Sequence, residues 1–436
     1  MVLAERDKVE MEDEIRSKID NFKNTRLVVR KGNPLIANEI SIVSPNEARS
    51  IIVLSPEIES ADTHVIKSVL AFTNGRNRKQ EAYNIVAEIN NKDNLESAEL
   101  VGNGEAVFVH SSELISRITA QTCRQSGLSV IYTQLLQFEG DEIYFSDESS
   151  LYGKNYKDCI FAYENSTVLG ILKKEGSVMI NPPADTVYNE GDQIIAISED
   201  DDTVIVSGKK DFNINKNVFS KGFEVKPKIE KTLILGWNES AKDIIRELDE
   251  YVAPGSEVFI VSVDDQDISD IELQNQSIQL GKGNLTDQKT IESLHPELYD
   301  HIILLSNPKF EIQESDARTL ICLLHLRNLS EKHNKHFSIV SEMKNMRNRE
   351  LGQVAKADDF IVGDNIISLM MSQLSENSDL KKVFDVLFES EGSEIYLKPI
   401  NRYINTSEAV NFYTVMERAF RTKRNSLRLQ NLRSKR

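Results

Sequence analysis

Lys231-Thr232-Leu233-Ile234-Leu235-Gly236 is a short apolar run that stops at glycine, and the residues after it, 239–251, put Ile244, Ile245 and Leu248 on one helical face. A β-favouring run followed by an amphipathic helix is the opening unit of a parallel sheet. The alternation continues through Val258-Phe259-Ile260-Val261-Ser262-Val263-Asp264, then 277–280 before Gly281, then 301–306, then 337–341 before Glu342, with a helix-like stretch over 316–329. Strands this short and apolar are buried on both faces, because crossover helices cover both sides of a parallel sheet. The predicted fold class is α/β, a doubly wound, Rossmann-like sheet.

Working outward, the chain repeats itself. Glu139-Gly140-Asp141-Glu142-Ile143-Tyr144 returns 252 positions later as Glu391-Gly392-Ser393-Glu394-Ile395-Tyr396. At the same shift Ile115 meets Ile367, Ser116 meets Ser368, Gln121 meets Gln373 and Leu128 meets Leu380. With a residue or two of drift, Lys31-Gly32-Asn33 matches Lys282-Gly283-Asn284, and Ile51-Ile52-Val53-Leu54-Ser55 matches Ile302-Ile303-Leu304-Leu305-Ser306. Such a period is far longer than a solenoid repeat and means a duplicated domain. Each half then reads as a doubly wound domain, a pair of helices and a small α+β domain. The expected segments are 1–110, 111–136 and 137–207 in the first half, a linker at 208–229, and 230–362, 363–388 and 389–436 in the second, with the last segment shorter than its counterpart.

The first half opens one step late. Val2-Leu3-Ala4-Glu5 matches the second strand of the other half, so the first strand and helix have no counterpart. That strand belongs in the centre of the sheet, and its loss bares two strand edges. The expectation is that the chain is a piece of a longer polypeptide or that another chain supplies the strand.

A length of 436 residues accommodates roughly two to four domains. The net charge of −17 argues against nucleic acid as the main partner. The end of the chain is the exception: 418–436 holds eight Lys or Arg and no acid, and such a tail is usually a solvated terminus. Cys123, Cys159 and Cys322 are too scattered for a disulfide framework or a zinc site, which fits a reducing compartment. No run of about 18 apolar residues and no signal-like start is present, so the chain as given is expected to be soluble.

Several separate motifs, in order, resemble one family. Gly32-Asn33-Pro34-Leu35, Ala48-Arg49-Ser50-Ile51-Ile52-Val53-Leu54, Asn189-Glu190-Gly191-Asp192, Ala196-Ile197-Ser198-Glu199-Asp200-Asp201-Asp202-Thr203, Leu235-Gly236-Trp237-Asn238 and Asn411-Phe412-Tyr413-Thr414-Val415 are similar to the cytosolic part of CASTOR/POLLUX-type ion channels. The resemblance implies two tandem RCK (regulator of potassium conductance) domains under a transmembrane pore that this chain lacks. It further implies a homo-tetramer with eight RCK domains in a ring, cation conduction, regulation by Ca²⁺ and a place at the cytosolic face of a membrane. The helices at 113–125 and 365–375 would be the crossover elements that pair neighbouring domains.

A dinucleotide site needs a glycine-rich turn that admits a pyrophosphate to a helix N-terminus. Here the turn is Gly236-Trp237-Asn238-Glu239, and the bulk of Trp237 and the charge of Glu239 both oppose a phosphate, so nucleotide binding is disfavoured. Gly236, Asn238 and Asp264, the last at the ribose position, are the weak candidates; Glu5 is the matching acid of the first half. Hard cations such as Ca²⁺ require six to eight oxygens. Asp200, Asp201 and Asp202, with Glu199, form one acidic cluster; Glu57, Glu59 and Asp62 form another; Asp264, Asp265, Asp267 and Asp270 a third. Glu88 and Glu342 occupy equivalent strand ends. No EF-hand spacing, nucleophile elbow or phosphate-binding Gly-Lys-Ser/Thr loop occurs, so the reading is a non-enzymatic ligand sensor. The alternative is a detached nucleotide-binding regulatory subunit of a potassium uptake system.

Overall fold

The apolar runs assigned to the doubly wound halves lie in parallel sheets. The computed structural model describes residues 1–19, 21–220, 228–345, 348, 359–389, 392–422 and 424–427. The chain divides into two units, residues 1–114 with 370–381, and residues 115–369 with 382–436.

In the first unit β1 (Val2–Ala4) pairs in parallel with β2 (Val29–Lys31). The helix between them, Lys8–Lys18, starts where the Asp7 carboxylate accepts from the backbone N–H groups of Val9 and Glu10, satisfying donors that a helix start leaves orphaned. A second parallel sheet consists of β3 (Ile51–Val53), β4 (Ile85–Ile89) and β5 (Ala106–His110). Val65, Val69 and Phe72 of helix Ala61–Thr73 pack with Ile85, Ala87, Ile89 and Phe108 in its core. Among the described residues no strand joins β1 to β3, and Ile52 and Leu54 remain exposed.

Among the described residues the second unit holds two sheets. β6 (Glu142–Ser146), β7 (Thr167–Leu172), β8 (Val178–Ile180) and β9 (Gln193–Ser198) form an antiparallel sheet in the order β6-β9-β7-β8. At Gly170, where the register shifts, a Cβ would lie 2.1 Å from the Met179 carbonyl oxygen, so only glycine fits. The other sheet has β10 (Lys231–Leu235), β11 (Ser256–Ser262), β12 (Gln276–Lys282), β13 (His301–Leu304), β14 (Ser338–Glu342) and β15 (Asp359–Ile361). All its pairs are parallel, in the order β12-β11-β10-β13-β14-β15. The order reverses between β10 and β13, which opens a crevice at the carboxyl ends of those strands. No extended apolar run announces β15; it is three residues long and takes its place by pairing with β14.

The second small domain departs from its expected likeness to the first. Among the described residues 392–427 contains no strand, only a 3-10 turn at Ile400–Arg402 and helix Phe412–Phe420. Tyr413 and Met416 of that helix enter the core of the antiparallel sheet with Tyr156, Phe161 and Ile171. The segment before β10 straps it there: Asn215 N–H donates to Thr414 Oγ1 at 3.1 Å, and Arg418 Nη2 donates to the Ser220 carbonyl at 2.8 Å. The short last segment spends its apolar face completing an existing core instead of building its own. Residues 221–227 of the linker, Glu391 of the repeated motif and 428–436 of the basic end lie outside the described residues.

Candidate ligand sites

Gly236 ends β10 at φ +102°, and a Cβ there would sit 2.3 Å from the Leu305 carbonyl oxygen. Close approach of the chain's own backbone therefore accounts for this glycine. Asn238, a weak nucleotide candidate, is engaged by the protein itself: its Nδ2 donates to Glu342 Oε2 at 2.6 Å and to the Ser306 carbonyl at 3.2 Å, and its Oδ1 accepts from Ser240 N–H at 3.1 Å. Ser306 N–H donates to the same Glu342 oxygen at 2.9 Å. Glu342 thus clamps two loops at the carboxyl end of the sheet. In the first unit Glu88 accepts from Ser55 N–H at 3.3 Å, the equivalent bond in the duplicated frame.

Beside the Gly236 turn lies a cleft enclosing about 500 Å³ of space open to solvent, lined among others by Leu285, Phe310, Ser315, Arg318, Thr319 and Cys322. The Ser315 hydroxyl is buried and has no hydrogen-bond partner among the described residues. The Arg318 guanidinium stacks 4.0 Å from the Phe310 ring centroid and bonds Glu314 at 2.9 Å. Asp264 is at the rim, where Lys309 at 2.9 Å and Asn307 at 3.4 Å hold its carboxyl below the usual carboxylate range. Sequence reading missed Ser315, Arg318 and Thr319; their spacing within one helix puts them on a common face, but only the fold turns that face toward β10.

The acidic clusters separate into different jobs. Asp62 is almost fully buried and accepts from Asn90 N–H and Asn91 N–H, both at 2.9 Å, and from Asn94 Nδ2 at 2.8 Å. Its counterpart Asp316, 254 positions on, accepts from Lys344 N–H, Asn345 N–H and Asn348 Nδ2 at 2.9, 3.0 and 2.8 Å. Both carboxylates staple a loop, which corrects the grouping of Asp62 with the exposed Glu57 and Glu59. Asp265 pairs with Lys282 at 2.9 Å, and Asp270 with Lys242 and Arg246 at 2.5 and 3.1 Å, while Asp267 lies 3.8 Å from the same lysine. Cationic side chains occupy that cluster. Glu5 accepts from Asn33 Nδ2 at 2.8 Å.

Asp200, Asp201 and Asp202 remain together. They are exposed just after β9, each offering a carboxylate oxygen within 4.8 Å of the others, the one such group among the described residues. The turn that gathers them is a capping arrangement: Asp200 Oδ1 accepts from Asp201 N–H at 2.8 Å, and Thr203 Oγ1 accepts from Asp200 N–H at 2.9 Å. The three cysteines are buried, and burial pushes each thiol up to about 12, so none is reactive.

Residues 112–214 match a family model described as Castor and Pollux, part of voltage-gated ion channel, and residues 232–363 match the TrkA-N domain. Along 96% of its length the chain is 28% identical to the probable ion channel CASTOR of Oryza sativa subsp. japonica, covering 51% of that protein. It is 29% identical, again over 96%, to the probable ion channel POLLUX of the same plant, covering 48% of it. The chain resembles the CASTOR and POLLUX ion channels. This CASTOR/POLLUX-like chain spans about half the length of the curated relatives it matches. Its Castor and Pollux match takes in the antiparallel sheet and ends in the strap at 208–220, while the TrkA-N match starts with β10 and ends just beyond β15. Its fold is that of the human SLO3 gating ring, with a TM-score of 0.65 at 13% identity, covering 89% of this chain and 79% of that one. A GsuK channel bound to NAD aligns at a TM-score of 0.48 and 15% identity, over 88% of this chain and 65% of that one. Among the described residues no helix is long and apolar enough to cross a membrane.

Proposed function

We propose that the CASTOR/POLLUX-like chain is the ligand-sensing gating ring of a potassium-channel-like cation channel, lying at the cytosolic face of a membrane. The observation that carries this is similarity to CASTOR and POLLUX running along 96% of the chain, on the gating-ring fold. Four copies would bring eight RCK domains into a ring, joined to a pore domain of the same polypeptide. A ligand opens such a gate only by binding one ring geometry more tightly than the other. Ca²⁺ or another divalent cation is the proposed ligand, and Asp200, Asp201 and Asp202 its proposed oxygen donors, since among the described residues they are the acids whose carboxylates come together exposed. Three carboxylates meet part of the demand of Ca²⁺, the rest falling to water and backbone carbonyls. No catalysis is proposed.

The cleft between Gly236 and Arg318 favours a second reading, a small-molecule or nucleotide site in the second RCK domain, because ligands of doubly wound sheets occupy this crevice. Trp237 and Glu239 still oppose a pyrophosphate at the turn. Light scattering of the purified chain, with calorimetric titration of Ca²⁺, ATP and NAD, tests both. A tetramer that takes up Ca²⁺ supports the first reading; a dimer or monomer that ignores Ca²⁺ and binds ATP or NAD replaces it with the detached nucleotide-sensing subunit.

A further inference from the structure

Residues 395–407 contain Lys398 and Arg402 and no acid, and helix Phe412–Phe420 is followed by Arg421 and Arg424, again without an acid. In a chain of net charge −17 the fold gathers part of this positive charge in one place. Arg424 folds back on the end of its helix, its N–H donating to the Ala419 carbonyl at 3.2 Å, and its Nη1 donates to the Tyr403 hydroxyl at 3.1 Å. Lys398 Nζ stands 4.4 Å from the Tyr396 ring centroid, and the Tyr396 hydroxyl donates to Glu394. The loop that carries these groups is anchored at both ends: Leu397 N–H donates to Gln125 Oε1 at 3.0 Å, and the Tyr403 carbonyl accepts from Ser220 N–H at 3.0 Å. These contacts all lie within the second unit.

Among the described residues neither Lys398 nor Arg424 is ion-paired with a carboxylate. Burial, then the charges of Arg402, Arg424 and Arg124, hold the Lys398 ammonium below its ordinary value; Glu394 acts the other way and weighs least of these. Arg124, last residue of helix Ser111–Arg124, is itself taken on both oxygens of Glu230, Nη2 to Oε1 at 3.1 Å and Nε to Oε2 at 3.3 Å, so its charge is matched. Lys398 and Arg424 have no such match, and Arg402 stands beside them. Like charges brought together without a counter-charge repel, and an anion placed among them relieves the repulsion.

We propose that Lys398, Arg402 and Arg424, with the Tyr403 hydroxyl, form a binding site for a phosphate dianion, free or as a monoester. Two planar guanidinium forks and an ammonium offer more donors than one carboxylate can use, whereas a phosphate group of charge near −2 takes forked and point donors together on its three terminal oxygens. The Tyr403 hydroxyl accepts from Arg424, so its own proton remains to be donated. Tyr396, Leu397 and Ile400 are 50%, 41% and 44% exposed around the loop, a margin that suits a phosphate carried on an apolar body as well as a free one. Nucleic acid is disfavoured, because the acidic remainder of the chain repels a long polyanion. The site is separate from the cation proposed at Asp200, Asp201 and Asp202 and stands or falls without it.

The test has two arms on the full chain: calorimetric titration with inorganic phosphate, and flotation with phosphatidylcholine vesicles prepared with and without phosphatidate, a lipid that ends in a phosphomonoester. Saturable binding is expected in at least one arm. Lys398→Gln with Arg424→Gln is expected to weaken it at least about tenfold. Arg421→Gln removes the same charge from an arginine that already bonds Glu417 at 2.9 Å, and is expected to change binding by less than about twofold. Heat with inorganic phosphate supports the site and assigns it to a free phosphate; capture by phosphatidate vesicles alone supports it and assigns it to a lipid headgroup. No binding in either arm would overturn the proposal, and so would binding that survives the double substitution or falls as far in Arg421→Gln.

Discussion

Asn84 Nδ2 donates to the Ser375 carbonyl at 2.8 Å, closing in the first unit the helix end that the Ser338 hydroxyl closes at Cys123 in the second. Each bond supplies a partner to a carbonyl that a helix end leaves unpaired. The two bonds occupy matching places in the repeat although amide and hydroxyl differ, so the duplication keeps a geometric task more faithfully than a residue type. The same frame ties Asp62 to Asp316 and Glu88 to Glu342.

Asp316→Ala should destabilise the second unit by about 2–3 kcal/mol, because it strips partners from two backbone N–H groups and the Asn348 amide around a carboxylate that is fully buried. Asp62→Ala should do the same to the first unit. Urea unfolding of each variant, followed by hydrogen exchange to assign the transition, checks it; a loss under about 0.5 kcal/mol is the surface-substitution result and contradicts the staple.

Burial disfavours the Glu230 carboxylate, yet His301 and Arg124 outweigh it and hold the group down at about 2, against an ordinary 4.5. A depressed acid contributes stability that is fully present above its unfolded pKa and is lost as pH falls through the folded value. About 3 kcal/mol of neutral-pH stability should therefore drain between roughly pH 4.5 and pH 2. Glu230→Gln should flatten the wild-type stability curve over that window, and parallel curves for the two proteins would refute the assignment.

Gly236→Ala is expected to cost more than about 2 kcal/mol without any ligand present, since the new Cβ meets the Leu305 carbonyl at 2.3 Å and φ is +102°. Thermal unfolding of the unliganded chain measures this directly. A fully stable alanine variant would mean that the turn can relax and that the glycine serves a ligand after all.

Asp201→Asn with Asp202→Asn should leave stability within about 0.5 kcal/mol, because both side chains are exposed. The heat of Ca²⁺ binding should fall at least tenfold in apparent affinity, a change of about 1.4 kcal/mol. Unchanged calorimetric titration in the double variant would move the cation elsewhere.

Tyr413→Ala should unfold the antiparallel sheet at lower urea, by about 3–5 kcal/mol on the scale of large-to-small aromatic truncation. Tyr413 is 8% exposed, lies 5.0 Å from Phe212 between ring centroids and donates its hydroxyl to the Tyr163 carbonyl at 3.2 Å. If the cost is near zero, helix Phe412–Phe420 is a bystander on that core.

The strands of the six-stranded sheet were legible because local pattern suffices for them: Leu233, Ile234 and Ile260 have to be buried on both faces, and few backbones allow that in so short a run. The duplication was legible for the same reason, apolar positions recurring at one offset. Not legible were β15, whose three residues become a strand only through pairing with β14, and the destination of helix Phe412–Phe420, whose apolar face announces a core without saying which. The candidate acids were visible as residue types, but their roles depend on distance. Asp62 and Asp202 look alike in the chain; one is spent on backbone N–H groups within a loop and the other stands in solvent. Sequence by itself determined the fold class, the repeat and the kind of chemistry on offer, because those follow from periodicity and composition. Tertiary structure alone decided which charges meet, as at Arg124, Glu230 and His301, because electrostatic and hydrogen-bond partners are chosen by a few ångströms of separation that no spacing along the chain encodes.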